Sequence, residues 1–244
     1  AAFTAVVIPP QEEILDRFAD VEETDFAAKL YLMLGNIDVD LMGYYSKERS
    51  NRIGADCALN LRGNIELHGE FSYFIDAPKR TIVDNQLVQT EEEGYTYLLG
   101  MRCLNRWGIT TILEYYHTDA NLTEDEFQEY LRFLRQSLDS SDEEQIRRAL
   151  AYSQNFKGNT LMQDYVYIQM QKPEPFDWLY VTSSCSTIYN LNDRSMLLAL
   201  TFTYKPVTNF EFTFKPSVTF GKEDSEYESQ RTQQKVETWL RFHF

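Results

Sequence analysis

Ionisable side chains recur at every second position through much of this 244-residue chain. Asp38 and Asp40, then Glu66, His68 and Glu70, then Glu211 and Lys215, and finally Lys235, Glu237, Arg241 and His243 stand two or four residues apart. In an extended strand that spacing places them on one face, because side chains alternate between the two sides. Lys29, Asp56, Arg62, Arg102, Glu114 and Lys205 occupy the same phase of their own segments. A surface lined in this way, if it borders water, can orient and select charged or polar solutes. Its signs are unevenly spread: acids dominate residues 37–70, and bases outnumber acids from Lys205 onward. Paired off in a narrow interior, the same charges would instead be structural ion pairs.

Other chemistries find less support. His68 has Glu66, Glu70 and Ser72 in phase with it and forms the one local His/acid/Ser group, the minimum for a hydrolase. Ser72 has no nucleophile-elbow context, so His68 reads as a histidine satisfied by neighbouring carboxylates and the chain as a non-enzyme. Cys57, Cys103 and Cys185 are far apart and form no CxxC, and the acidic runs 11–25 and 91–93 lack the ligand spacing of a calcium loop. No metal or cofactor is expected. With 38 Asp+Glu against 23 Lys+Arg and a net charge of -15, a nucleic-acid partner is not expected either.

The elements that must position these residues are strands. Phe26, Ala28, Leu30, Leu32 and Leu34 alternate with Lys29 and Tyr31, and Phe210, Phe212, Phe214, Val218 and Phe220 alternate with Glu211, Lys215 and Thr219. About twelve such segments can be traced, each near the 9–11 residues that cross a bilayer when tilted. Mean hydropathy is -0.45, too low for spanning helices but compatible with strands that are half apolar. The cysteines fall on the apolar phase. Connections alternate in kind: 35–36, 63–64, 105–108, 172–177 and 206–209 are short, whereas 9–25, 46–52, 76–94, 119–158 and 221–234 are longer and polar, with 190–195 short among them. Residues 119–158 break the strand rhythm. Thr123-Glu-Asp-Glu126 is a capping box and Phe127, Tyr130, Leu131, Leu134 and Leu138 follow helical spacing; Ser141-Asp-Glu-Glu144 opens a second helix. Phe127, Leu131 and Leu134 are candidate gate residues if this hairpin enters the mouth of a barrel; otherwise it packs on itself.

The closing segment Lys235–Phe244 carries Val236, Thr238, Leu240, Phe242 and Phe244 on one side and stops on an aromatic residue. It resembles the last strand of Gram-negative outer-membrane β-barrels, and Asn192-Asp193-Arg194-Ser195 with the two strands and loop that follow resembles the end of large porin-like barrels. The resemblance implies an all-β, transmembrane, antiparallel up-and-down barrel, one domain over 1–244 with 119–158 inserted as a helical extracellular loop. It implies a channel for passive diffusion of small polar or ionic solutes. The other readings are a plugged scaffold barrel that binds a partner protein and, third, a barrel hydrolase. It also implies outer-membrane lipid and lipopolysaccharide as surroundings, a periplasmic carboxyl terminus, and Phe242 and Phe244 as the signal for the barrel assembly machinery. A homo-oligomer or a protein partner is compatible with it. Ala1 without a preceding Met, and Val6-Val7-Ile8-Pro9 of a kind found in mid-sequence in such families, suggest a cleaved signal or strands ahead of Ala1.

Overall fold

Period-two patterning folds into twelve antiparallel strands that neighbour one another in chain order, β1 through β12. The computed structural model describes residues 1–8, 24–47, 49–156, 158, 160–229 and 232–243, with the side chain of Arg62 left aside. The strands are β1 Ala2–Ile8, β2 Asp25–Leu34, β3 Ile37–Tyr45, β4 Asn51–Arg62, β5 Ile65–Val83, β6 Gln86–Leu104, β7 Thr110–Thr118, β8 Asp164–Pro173, β9 Val181–Asn190, β10 Met196–Val207, β11 Phe210–Phe220 and β12 Gln234–Phe242. Register follows chemistry. Leu30 faces Leu41, which faces Ala55, while Asp40 faces both Tyr31 and Asp56. Further along, Phe202 faces Phe214, and Phe214 faces Thr238. A slip by one residue would exchange the apolar and ionic faces, so the pattern itself fixes the pairing.

The short connections 35–36 and 63–64 appear as expected, and 208–209 joins β10 to β11. The polar stretch 76–94 is not a loop. β5 and β6 run for 19 residues each and meet at Asp84-Asn85, both at positive φ (50° and 62°) as a tight hairpin turn requires. Thr81-Ile-Val83 and Leu87-Val88 flank that pair, and these β-branched and apolar residues outweigh the acidic content of the hairpin. The acidic connection expected at 11–25 lies almost wholly outside the described residues.

The helical hairpin forms where its caps predict. In α1, Glu124–Leu138, Thr123 Oγ1 accepts from the Glu126 backbone N–H while Glu126 returns the bond to the Thr123 N–H. Losing such a cap typically costs ~1 kcal/mol. Asp142 caps α2, Glu143–Ser153.

The chain divides into two compact units. One holds residues 1–60, 67–99 and 117–163, and its apolar core is gathered around the helices and the far half of β5: Phe74, Ala77, Ile82, Phe127, Tyr130, Leu131, Phe133, Ala149 and Met162 are buried. The other holds 61–66, 100–116 and 164–244, with Tyr165, Ala199 and Tyr227 buried. Most strand residues outside these clusters are not buried on either face.

Candidate functional site

In the first unit the ionic face is built by β2, β3 and β4. Lys29 Nζ lies 2.6 Å from Asp40 Oδ2, and the other oxygen of Asp40 is buried without a hydrogen-bond partner. Asp40 faces Asp56 across the β3–β4 ladder, so one lysine serves two carboxylates there. Tyr31 Oη donates to Asp38 at 2.6 Å, and Tyr44 Oη to Asp25 at 2.5 Å. His68 and Glu70 continue the alternation on β5. Acid exceeds base across this stretch, as the sequence indicates.

The second unit carries the basic counterpart. Glu211 on β11 is held between Lys205 Nζ (2.8 Å) and Arg241 Nη1 (3.3 Å). Lys235 pairs with Glu237 on β12, and Trp239 on the same strand face has the Arg241 guanidinium 5.1 Å from its ring centroid. Lys215 faces Glu237 in the β11–β12 ladder. Glu66, Arg102 and Glu114 also belong to this unit, as does His243, an exposed residue whose backbone N–H donates to Asn209 O. Phe242 is 59% exposed beside Phe210, ring centroids 5.4 Å apart; Phe244 lies outside the described residues, as does the Arg62 side chain.

The opposite face is apolar yet exposed. Leu41, Ile53, Phe71, Leu99, Met170, Leu200, Phe202, Val236 and Leu240 each show more than a third of their surface. Cys57 and Cys185 are exposed and all three cysteines are free thiols. A water-soluble monomer rarely leaves so extended an apolar surface open. Along this face, charge among the described residues enters near strand ends and in the far halves of β5 and β6. At the long-connection end of the first unit, Tyr95, Tyr97 and His117 cluster with ring centroids 5.1–6.0 Å apart, His117 Nε2 sits 3.1 Å from Asp119 Oδ1, and Tyr73 Oη donates to Glu93 at 2.6 Å. A cluster of rings with carboxylates just beyond it is the pattern of a membrane–water boundary. Counted from those rings to the nearest short turns, 65–73 and 95–104 have the length that a tilted strand needs to cross a bilayer, and the far halves of β5 and β6 continue past the rings.

Two polar anchors escaped sequence reasoning. Lys79 is buried, with Nζ 3.1 Å from Glu126 and 3.5 Å from Glu92, so the extended β5–β6 hairpin grips the amino terminus of α1 through the capping-box glutamate itself. Phe127 and Leu131 are buried and Leu134 is half-buried: they form the face by which α1 is mounted. In the second unit, Glu226 of the β11–β12 loop is 3% exposed and one carboxylate oxygen accepts from Tyr165 Oη (2.7 Å) and Asn190 Nδ2 (2.6 Å). The Glu226 N–H donates to Asp193 and the Tyr227 N–H to Ser195 Oγ, fixing the loop onto the β9–β10 turn. Burial, with Glu226 and Asp193 close by, pushes the Tyr227 phenol well above its usual range. A lone Glu among polar neighbours gives no sequence cue to such burial. Among the described residues, no group of three or more His, Cys, Asp or Glu converges to hold a metal.

No protein-family model matches the chain, and no curated protein matches it. Solved structures do. The crystal structure of Pseudomonas aeruginosa OccD3 (OpdP) superposes with a TM-score of 0.50 at 11% sequence identity, over 91% of this chain. The chain spans 57% of the length of that protein. At that identity the likeness establishes the fold, a porin-type antiparallel up-and-down β-barrel.

Proposed function

We propose that this chain forms, or forms part of, an outer-membrane channel through which small polar or ionic solutes diffuse passively. The observation that carries the reading is the division of one sheet into an exposed apolar face and a face of Lys, Arg, Asp and Glu. Lipid explains the first, since a charge at midplane costs up to ~4 kcal/mol. A water-filled lumen explains the second. The ionic side chains set selectivity: Asp38, Asp40, Asp56, Glu66 and Glu70 supply the acidic region, with Lys29 and His68 set among them, and Lys205, Lys215, Lys235 and Arg241 the basic one. Glu211 and Glu237 temper the basic region. On this reading the short connections and the carboxyl terminus are periplasmic, the helices are extracellular, and Phe242 with Phe244 addresses the chain to the assembly machinery. Lipopolysaccharide would then border the Tyr95–Tyr97–His117 rim.

A second reading is favoured by the ion pairs Lys29–Asp40, Lys205–Glu211–Arg241 and Lys235–Glu237, which partly neutralise the lining. If the interior is filled, the barrel is a scaffold for a partner protein. Planar-bilayer recording of the refolded chain decides between them. Discrete, ion-selective current steps are expected; a chain that inserts but passes no current overturns the channel and leaves the scaffold.

A further inference from the structure

We propose that the turn at residues 174–180 is a lipid-seated anchor, with Phe176 and Trp178 held in the phospholipid interface at the short-connection side of the membrane. The inference rests on the membrane-barrel reading above. β8 and β9 could have been closed by two residues, as β2–β3 is; seven are used, and four of the last five are large and apolar. Phe176 is 86% exposed, Leu179 63%, Trp178 60% and Tyr180 56%. In water alone, such a cluster is a liability.

The backbone shows that the display is built. Glu174, Phe176, Asp177 and Tyr180 all have φ between 47° and 66°, a region that bulky L-residues seldom adopt and that glycine would occupy freely. Strain of this kind persists where the surroundings enforce it, and here they do. The Glu174 N–H donates to Val181 O at 2.7 Å, the Trp178 N–H to Pro175 O at 3.2 Å, and the Lys205 N–H to Tyr180 O at 2.9 Å. Phe176 and Trp178 meet edge-on with centroids 6.1 Å apart. The tip is a preformed aromatic wedge.

Position identifies lipid as its occupant. Val181, the first strand residue after the turn, pairs with Tyr204, at the end of the exposed apolar column that contains Leu200 and Phe202. The turn therefore continues the surface already assigned to lipid. The β6–β7 connection, at the same end of the sheet, presents Trp107, 61% exposed, with the Arg106 guanidinium 4.6 Å from its ring centroid. Trp and Tyr concentrate where hydrocarbon meets headgroups, because ring and N–H or O–H prefer opposite sides of that boundary. Glu174 and Asp177 leave two carboxylates for the aqueous side, within reach of ammonium headgroups.

The test uses the full chain in phosphatidylethanolamine/phosphatidylglycerol vesicles. Trp107→Phe with Trp239→Phe leaves Trp178 as the sole indole. Lipids brominated near the headgroup should remove most of its emission, lipids brominated deep in the acyl chain less, and aqueous iodide little. Leu200→Trp in a Trp107→Phe, Trp178→Phe, Trp239→Phe background reports separately on the barrel, through quenching by the deep bromines. If that probe is quenched and Trp178 is not, the anchor is overturned while the barrel stands, whether iodide reaches Trp178 freely or a protein partner shields it. If neither is quenched, the barrel reading falls and the anchor with it.

Discussion

Glu226 shows what a single side chain can hold in this molecule. Its carboxylate is buried and one oxygen accepts from both Tyr165 and Asn190, so changing either side of these contacts gives up hydrogen bonds made away from water. Such a loss costs ~1–3 kcal/mol. Tyr165→Phe and Glu226→Leu should each lower the unfolding midpoint in detergent and expose the 221–229 loop to protease, with Glu226→Gln milder. Tyr227 adds a pH dependence. Burial raises its phenol above the ordinary value near 10, so the folded state holds the proton more tightly than the unfolded chain. The contribution is intact below about pH 10 and declines as the pH rises from there toward the folded value. Protease sensitivity of the loop should therefore increase on the alkaline side and be flat between pH 6 and 9. The thiols give a third check. Cys57 and Cys185 are exposed on the apolar face, so in vesicles they should react with a lipid-soluble maleimide and resist a membrane-impermeant one; equal labelling by both would place that face in water.

At the level of elements, the unit formed by the far half of β5–β6 and the two helices is held by its own buried core and by the Lys79–Glu126 contact. Deleting Glu124–Tyr152 should change single-channel conductance while the strands still assemble. An unaltered current in a correctly inserted deletion mutant would remove the helices from any gating role. The helices were legible in the sequence because Thr123 and the segment Ser141-Asp-Glu-Glu144 announce their starts, the second cap falling on Asp142, and the apolar spacing does the rest. The long hairpin was not. Glu91-Glu92-Glu93 reads as loop, and only Asp84-Asn85 between β-branched residues marks the true turn. Polar strands are legible by alternation only when one face is buried. Here burial comes from helices that follow some forty residues later, a partner no local window contains.

For the whole molecule, the strand order and the two faces were readable, because one sheet with period-two patterning constrains them together. The alternation of connection lengths was readable only in part, since the expected long connection 76–94 is a hairpin turning at Asp84-Asn85 and the β8–β9 turn, expected to be short, takes residues 174–180. The state of the lumen was not, since ion pairing depends on which charges meet across ladders rather than on which face they occupy. Selectivity provides the corresponding measurement. Replacing Lys205, Lys215 and Lys235 together by Gln should shift the reversal potential toward cations under a salt gradient. The shift should shrink at 1 M salt, where the screening length is only ~3 Å. Lys29→Gln should shift it in the same direction, and Asp40→Asn oppositely.

The grip of Lys79 on the first turn of α1 also constrains the order of events during biogenesis. If, as proposed, the helices are extracellular, residues 119–163 would cross the bilayer plane as a polar chain before their helices form. On that reading their caps would close after the crossing. By then the β5–β6 stem can already stand on the outer side, presenting Lys79 as a landing point for Glu126. The slowest step in maturation should accordingly be the docking of this hairpin, later than strand pairing, and a Lys79→Met chain should mature with its strands paired on time and its helices delayed.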